Sequence, residues 1–146
     1  MIFIFIFLSS EFVFPQRNKF YYKLDRLSEF IASSYFENLS KETDALPLID
    51  TIYNRALKLT GNNYSETLLL LTFTLIPYNK IPLKIPIIGL RFDIPIPTSS
   101  PEIFLRKNQN LPKELFFDSP QSDFGDKDKL AHFFGNAFLS YNLRLF

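Results

Sequence analysis

The chain predicts a mainly α fold: about four helices with a Pro-rich extended segment (minor β) packed on them. Three observations carry this. Apolar residues recur at helical spacing in several separate stretches. Pro77, Pro82, Pro86, Pro95, Pro97 and Pro101 punctuate one region and exclude a helix there. The overall balance, 47% hydrophobic and 21% charged, is that of a globular chain.

Residues 19–39 carry the clearest amphipathic pattern. Phe20, Leu24, Leu27, Ile31 and Tyr35 fall on one helical face, with Lys23, Asp25, Arg26, Glu29 and Glu37 mainly on the other. A polar connection over 40–46 follows. Pro47 suits the first turn of a second helix, because its missing N–H costs nothing there. Leu48, Ile52, Tyr53, Ala56 and Leu59 form that helix's apolar face, and Gly61 with Asn62 supplies a stop. Ser65 is the expected cap of a third helix over 66–76, which Pro77 ends. The run from Leu68 to Leu71 is apolar on every side, so that helix is buried or pressed against a membrane. It is too short to span one.

The Pro-rich region predicts short strands, over 85–92 and 94–96, with Gly89 at a bend. Next comes a linker with a helical turn or two. Pro101-Glu102 and Pro112-Lys113-Glu114 are both good helix starts, and Phe116 and Phe117 are expected anchors. A loop over 119–125 leads to a last helix that begins near Asp126.

Composition bounds the function. The net charge of +1, without blocks of either sign, gives no electrostatic footprint for nucleic acid. The absence of cysteine excludes a disulfide framework, a thiol nucleophile and thiolate metal sites. With 4 Gly in the chain, a phosphate-cradling loop is not expected, and neither is any cofactor. The apolar run from Ile2 to Leu8 has the length of a signal-peptide h-region, although no basic residue precedes it. Residues 1–15 therefore read as an export signal or an apolar N-terminal segment. Residues 16–146 read as a single mostly helical domain. Its apolar pattern still runs at Phe146, as in a domain cut short at its C-terminal end.

Polar chemistry stands against an apolar background in one place. Asp123, Asp126, Asp128, His132 and Asn136 cluster around the start of the last helix, and His132 is the chain's single histidine. Asp128, His132 and Asn136 are spaced i, i+4, i+8 and share one stripe. Several roles fit. Asp123 or Asp126 can cap the helix, where acidic side chains suit the positive end of the dipole. Asp128, His132 and Asn136 can form a buried hydrogen-bonded network. Asp126, Asp128 and His132 can contribute to a metal site, though one histidine with carboxylates suits Mg, Mn or Ca better than Zn. Asp128 and His132 are also the candidates for acid–base catalysis, with Ser119, Ser122 or Ser140 as conceivable nucleophiles. Finally, Phe133, Phe134, Ala137, Phe138, Tyr141 and Leu145 make the helix apolar on most sides, as in one that docks on a membrane or a partner helix.

The run Asp128-Lys129-Leu130-Ala131-His132-Phe133 resembles the D-K-x-x-H-F motif of VanZ-like membrane proteins and YfiM-like cell-envelope lipoproteins, where it opens a helix. The resemblance covers the start of the last helix and marks Asp128, Lys129 and His132 as signature positions. It implies a location more than an activity. The resulting expectation is an exported, periplasmic or cell-envelope protein, non-enzymatic, whose last helix docks on a membrane or an envelope protein partner. No nucleic acid and no identified small-molecule ligand is expected. The rival is a fragment of a metal-assisted hydrolase using Asp128 and His132, with further ligands beyond the chain end.

Overall fold

A computed structural model describes residues 14–84, 91–115 and 125–143. Among them are six helices and one two-stranded sheet: α1 (Phe14–Ala32), α2 (Ser34–Glu42), α3 (Ala45–Leu59), α4 (Tyr64–Leu75), β1 (Lys80–Lys84), β2 (Arg91–Pro95), α5 (Pro101–Asn110) and α6 (Lys127–Leu143). The mainly α class with minor β is what the sequence predicts. The apolar segment 1–13, Gly89, Phe116, Phe117, Ser119, Ser122, Asp123 and Leu145 lie outside the described residues.

The first helix departs from the expected 19–39 span. It breaks at Ser33, whose backbone turns extended (ψ 153°). The Ser33 hydroxyl donates to the Phe30 carbonyl (2.6 Å) and accepts from the Phe36 N–H (3.2 Å), so it stops α1 and caps α2 together. The break resets the helical phase. Phe36 enters the core, and Tyr35, expected on the apolar face, stands 65% exposed. The connection to α3 shrinks to Thr43 and Asp44.

Helix α3 starts at Ala45, so Pro47 is its third residue, still within the first turn. Its end follows the expectation. Gly61 and Asn62 both have φ of +64°. The Asn62 N–H donates to the Leu57 carbonyl (2.9 Å) and the Gly61 N–H to the Lys58 carbonyl (3.3 Å), a Schellman arrangement. The cap of α4 is Asn63 rather than Ser65: its side-chain oxygen accepts from the Glu66 N–H (3.0 Å). An amide reaches the third N–H from the position before the helix, and Ser65 is already inside the first turn.

Leu70, Leu71 and Leu75 of α4 are buried against Leu24, Leu27 and Ile31 of α1 and Leu48, Ile52 and Ala56 of α3, in one core with Leu130, Ala131 and Phe134 of α6. Helices α4 and α6 run antiparallel and are tied at both ends. Ser65 donates to Asn142 (2.9 Å) near one end, and the Tyr78 hydroxyl donates to Asp128 (3.0 Å) near the other. Between them Gly135 faces Thr72, and a Cβ there would sit 3.4 Å from the threonine methyl, so the two helices cross closely. Among the helices, α6 packs chiefly on α4.

Strand β2 overlaps both expected spans, 85–92 and 94–96, whereas β1 lies before them, and residues 85–90 are outside the described residues. The two strands pair antiparallel, with Lys80 opposite Pro95 and Lys84 opposite Arg91. Prolines are tolerated because a two-stranded ribbon has only edges. Helix α5 is longer than the expected turn or two, with Pro101 in its first turn and Ser100 before it. The second expected start, at Pro112, makes no helix. There the Lys113 carbonyl accepts from the Asp126 N–H (2.8 Å), and the Leu115 N–H donates to the Asp126 carboxylate (2.9 Å). Lys113 and Leu115 are thus stitched to Asp126, just before α6.

Helix α5 closes the carbonyl ends of its neighbours. The Lys107 amine donates to the Thr74 and Ile76 carbonyls at the end of α4. The Asn108 amide donates to the Pro77 carbonyl (3.3 Å). The Asn110 amide donates to the Ile31 carbonyl at the end of α1 (2.8 Å). The Lys127 amine in turn meets the Asn108 carbonyl at the end of α5. Cations at helix C-termini meet both the free carbonyls and the negative end of the dipole.

Two predictions follow from this framework. Gly125 has φ of +56°, and a Cβ there would fall 2.1 Å from the Lys113 carbonyl oxygen. Gly61 has φ of +64° with open space around it. Thermal melting should therefore find Gly125→Ala destabilised by more than about 3 kcal/mol and Gly61→Ala by only about 1 kcal/mol.

Lys107 is 2% exposed, and burial, then the neighbouring Lys127 charge, pushes its amine down to about 7. The unfolded chain keeps its proton up to about pH 10.4. Between these values the unfolded state binds more protons, so stability rises with pH over that window and is lost as pH falls through 7. Denaturant titrations should show a gain on the order of 4 kcal/mol across it, and Lys107→Met should flatten most of that slope.

Candidate functional site

The polar cluster forms where the first turn of α6 meets the segment leaving α4. Asp128 lies in that first turn, as a carboxylate at the positive helix end should. The Tyr78 hydroxyl donates to its Oδ1 (3.0 Å). His132 follows one turn later, with Nε2 3.7 Å from the same oxygen. Tyr78 lies two residues after the end of α4's cap at Ile76, which Pro77 turns out of the helix.

The i, i+4, i+8 stripe exists, but it faces outward. His132 is 71% exposed, Asp128 is part-exposed and Asn136 is exposed. Among the described residues no hydrogen bond joins His132 to Asn136. The expected buried network is therefore not formed. The helical phase that sends Leu130, Ala131 and Phe134 into the core sends 132 and 136 to the surface.

Asp126 goes the other way. It stands just before Lys127, its backbone carbonyl accepts from the Leu130 N–H (2.9 Å), and it is fully buried. Its carboxylate holds the Leu115 N–H and pairs with Lys129 (3.1 Å). It does the work of a helix start and of a stitch to the preceding segment. Among the described residues no three His, Asp or Glu side chains stand together as a metal-binding group, so Asp126, Asp128 and His132 do not converge on one ion.

The chemistry open to Tyr78, Asp128 and His132 is limited by geometry. Burial, and then the hydrogen bond to Asp128, raises the Tyr78 phenol above its ordinary value. A phenol held neutral is a donor, not a nucleophile. The 3.7 Å separation of His132 from Asp128 exceeds the reach of a base–orienter hydrogen bond. Ser140 is exposed two turns further along α6 and faces no imidazole. The cluster is a clamp between α4 and α6 with an accessible imidazole at its edge.

No family model, no curated protein and no solved structure matches this chain. The site therefore rests on its geometry. Sequence reasoning missed Tyr78, because nothing local links it to a residue fifty positions on. It also missed Lys107, Asn108 and Asn110, which fall in the stretch read as a linker, and Lys127, which falls at the expected start of the last helix. The only available signal was their clustering near helix ends.

Melting curves separate the two halves of the cluster. Tyr78→Phe removes a part-buried donor and should cost about 1 kcal/mol. His132→Ala should stay within about 0.5 kcal/mol of the parent, as an exposed substitution does.

Proposed function

We propose that this protein is a non-enzymatic, cell-envelope-associated protein that docks on a partner protein through the outer face of α6. The observation that carries the reading is the split character of that helix. Its inner face is committed to α4 through Leu130, Ala131 and Phe134. Its outer face still presents Phe133 at 64%, Leu139 at 50% and Leu143 at 65% exposure. Large apolar side chains left in water beside His132, Asn136 and Ser140 match the mixture of an aromatic anchor with polar neighbours found at protein interfaces.

A protein partner is favoured over a lipid surface. Helices that lie in the membrane interface carry several basic residues on the polar face. Here Lys129 is the basic residue on the exposed arc among the described residues of α6, and it pairs with Asp126. No helix among the described residues is long and apolar enough to cross a membrane. The envelope location is supported by the apolar run from Ile2 to Leu8 and by the D-K-x-x-H-F resemblance.

Fractionation of cells tests both parts. The parent chain is expected with the envelope, and Phe133→Ser/Leu139→Ser is expected to move to the soluble fraction while melting as the parent does. A cytosolic parent chain would remove the envelope location. An unchanged distribution of the double variant would remove α6 as the contact. Flotation of the purified chain with anionic vesicles would reassign the face to lipid.

A further inference from the structure

A second surface lies apart from α6. The last turns of α1, the break at Ser33 and the last turns of α3 border a shallow groove of about 340 Å³. A neighbouring lobe of about 290 Å³ shares Phe30 and Arg55 with it and extends along α3 past Asn54 and Lys58. The floor is Phe30, whose ring lies near those of Tyr35 (6.3 Å) and Phe36 (5.5 Å).

The cations around this floor are unequal. Arg26 pairs with Glu29 (3.0 Å) and lies over Tyr22 (5.6 Å). Arg55 lies over the Phe30 ring (5.4 Å), a cation–π contact that helps position the guanidinium. Lys58 is one turn further on the same ridge of α3 and, like Arg55, exposed. Among the described residues no carboxylate pairs with Arg55 or Lys58. Two unpaired cations beside an aromatic floor leave a defined complement: carboxylates flanking an apolar side chain. Glu29 on the rim disfavours a polyanion such as nucleic acid, which needs a longer basic track. A guanidinium fork fits a carboxylate bidentately.

We infer that this groove binds an acidic peptide segment of a partner protein, with Arg55 and Lys58 holding its carboxylates and Phe30 seating an apolar side chain between them. The site does not depend on the α6 proposal, because its lining residues lie on α1, α2, α3 and the break at Ser33. Recognition has the form of an acidic motif read by a small basic cluster. Affinity is modest and falls with salt, as expected for exposed charges.

The test is fluorescence anisotropy of a labelled peptide of alternating Glu and Leu, titrated with the full chain. Saturable binding is expected, weakened about tenfold or more in Arg55→Gln/Lys58→Gln, the loss of two charge-assisted contacts. A Lys and Leu peptide should not bind, and Phe133→Ser/Leu139→Ser should bind as the parent does. Both substituted cations are exposed, and circular dichroism confirms that the variant is folded. Amide shifts at Phe30, Arg55 and Lys58 on adding the peptide would support the site. Absence of saturable binding, equal affinity of Arg55→Gln/Lys58→Gln, or displacement by inorganic phosphate as readily as by unlabelled peptide would overturn it.

Discussion

The structure depends on one constraint: α4 is apolar on most sides beyond its first turn and needs cover on several of them. Leu70, Leu71 and Leu75 are fully buried, and so are Thr67 and Thr74 on the same helix. Burying each such leucine is worth roughly 2 kcal/mol. A helix of this kind needs neighbours on several sides, and α1, α3 and α6 supply them. Its polar atoms must be met inside as well. The Thr67 and Thr60 hydroxyls lie 2.6 Å apart, and Thr67 also donates to the Asn63 carbonyl. Half-buried Lys23 on α1 pairs with Glu66 in the first turn of α4 (2.6 Å).

The same constraint explains the buried lysines. Once α4 is enclosed, its last carbonyls are enclosed with it, and unpaired carbonyls there would be costly. Lys107 reaches them from α5 at the expense of desolvating its own amine, which is why that amine titrates near neutrality. Burial, with the nearby Lys113 charge behind it, pushes Lys127 down as well. The end of the fold that closes α4 is therefore the part whose stability follows pH. The groove at Phe30 and Arg55 lies among α1, α2 and α3.

The two proposed contact surfaces are what this core leaves over. Covering α4 uses one face of α6 and leaves the other exposed, with Phe133 and His132 both on the exposed arc. Breaking α1 at Ser33 turns Phe36 inward and Tyr35 outward, and the aromatic groove arises at that break. Among the described residues neither surface holds a group of three metal-ligating side chains.

Local features that answer to local physics were legible in the chain. The mainly α class, the apolar faces of α1 and α3, the Gly61-Asn62 stop, the Pro101 start and the i, i+4, i+8 stripe of Asp128, His132 and Asn136 all follow from side-chain period and backbone preference. Choices between similar local options were not. Asn63 and Ser65 can both cap, Pro101 and Pro112 can both open a helix, and Ser33 can sit inside a helix or end one. Which way a polar stripe faces is set by where its neighbours' apolar residues land. The sequence alone determined that a polar stripe begins the last helix. Tertiary structure decided that Asp126 turns inward to Leu115 while Asp128 reaches Tyr78 and His132 meets water, because those partners lie far along the chain and only the burial of α4 brings them together.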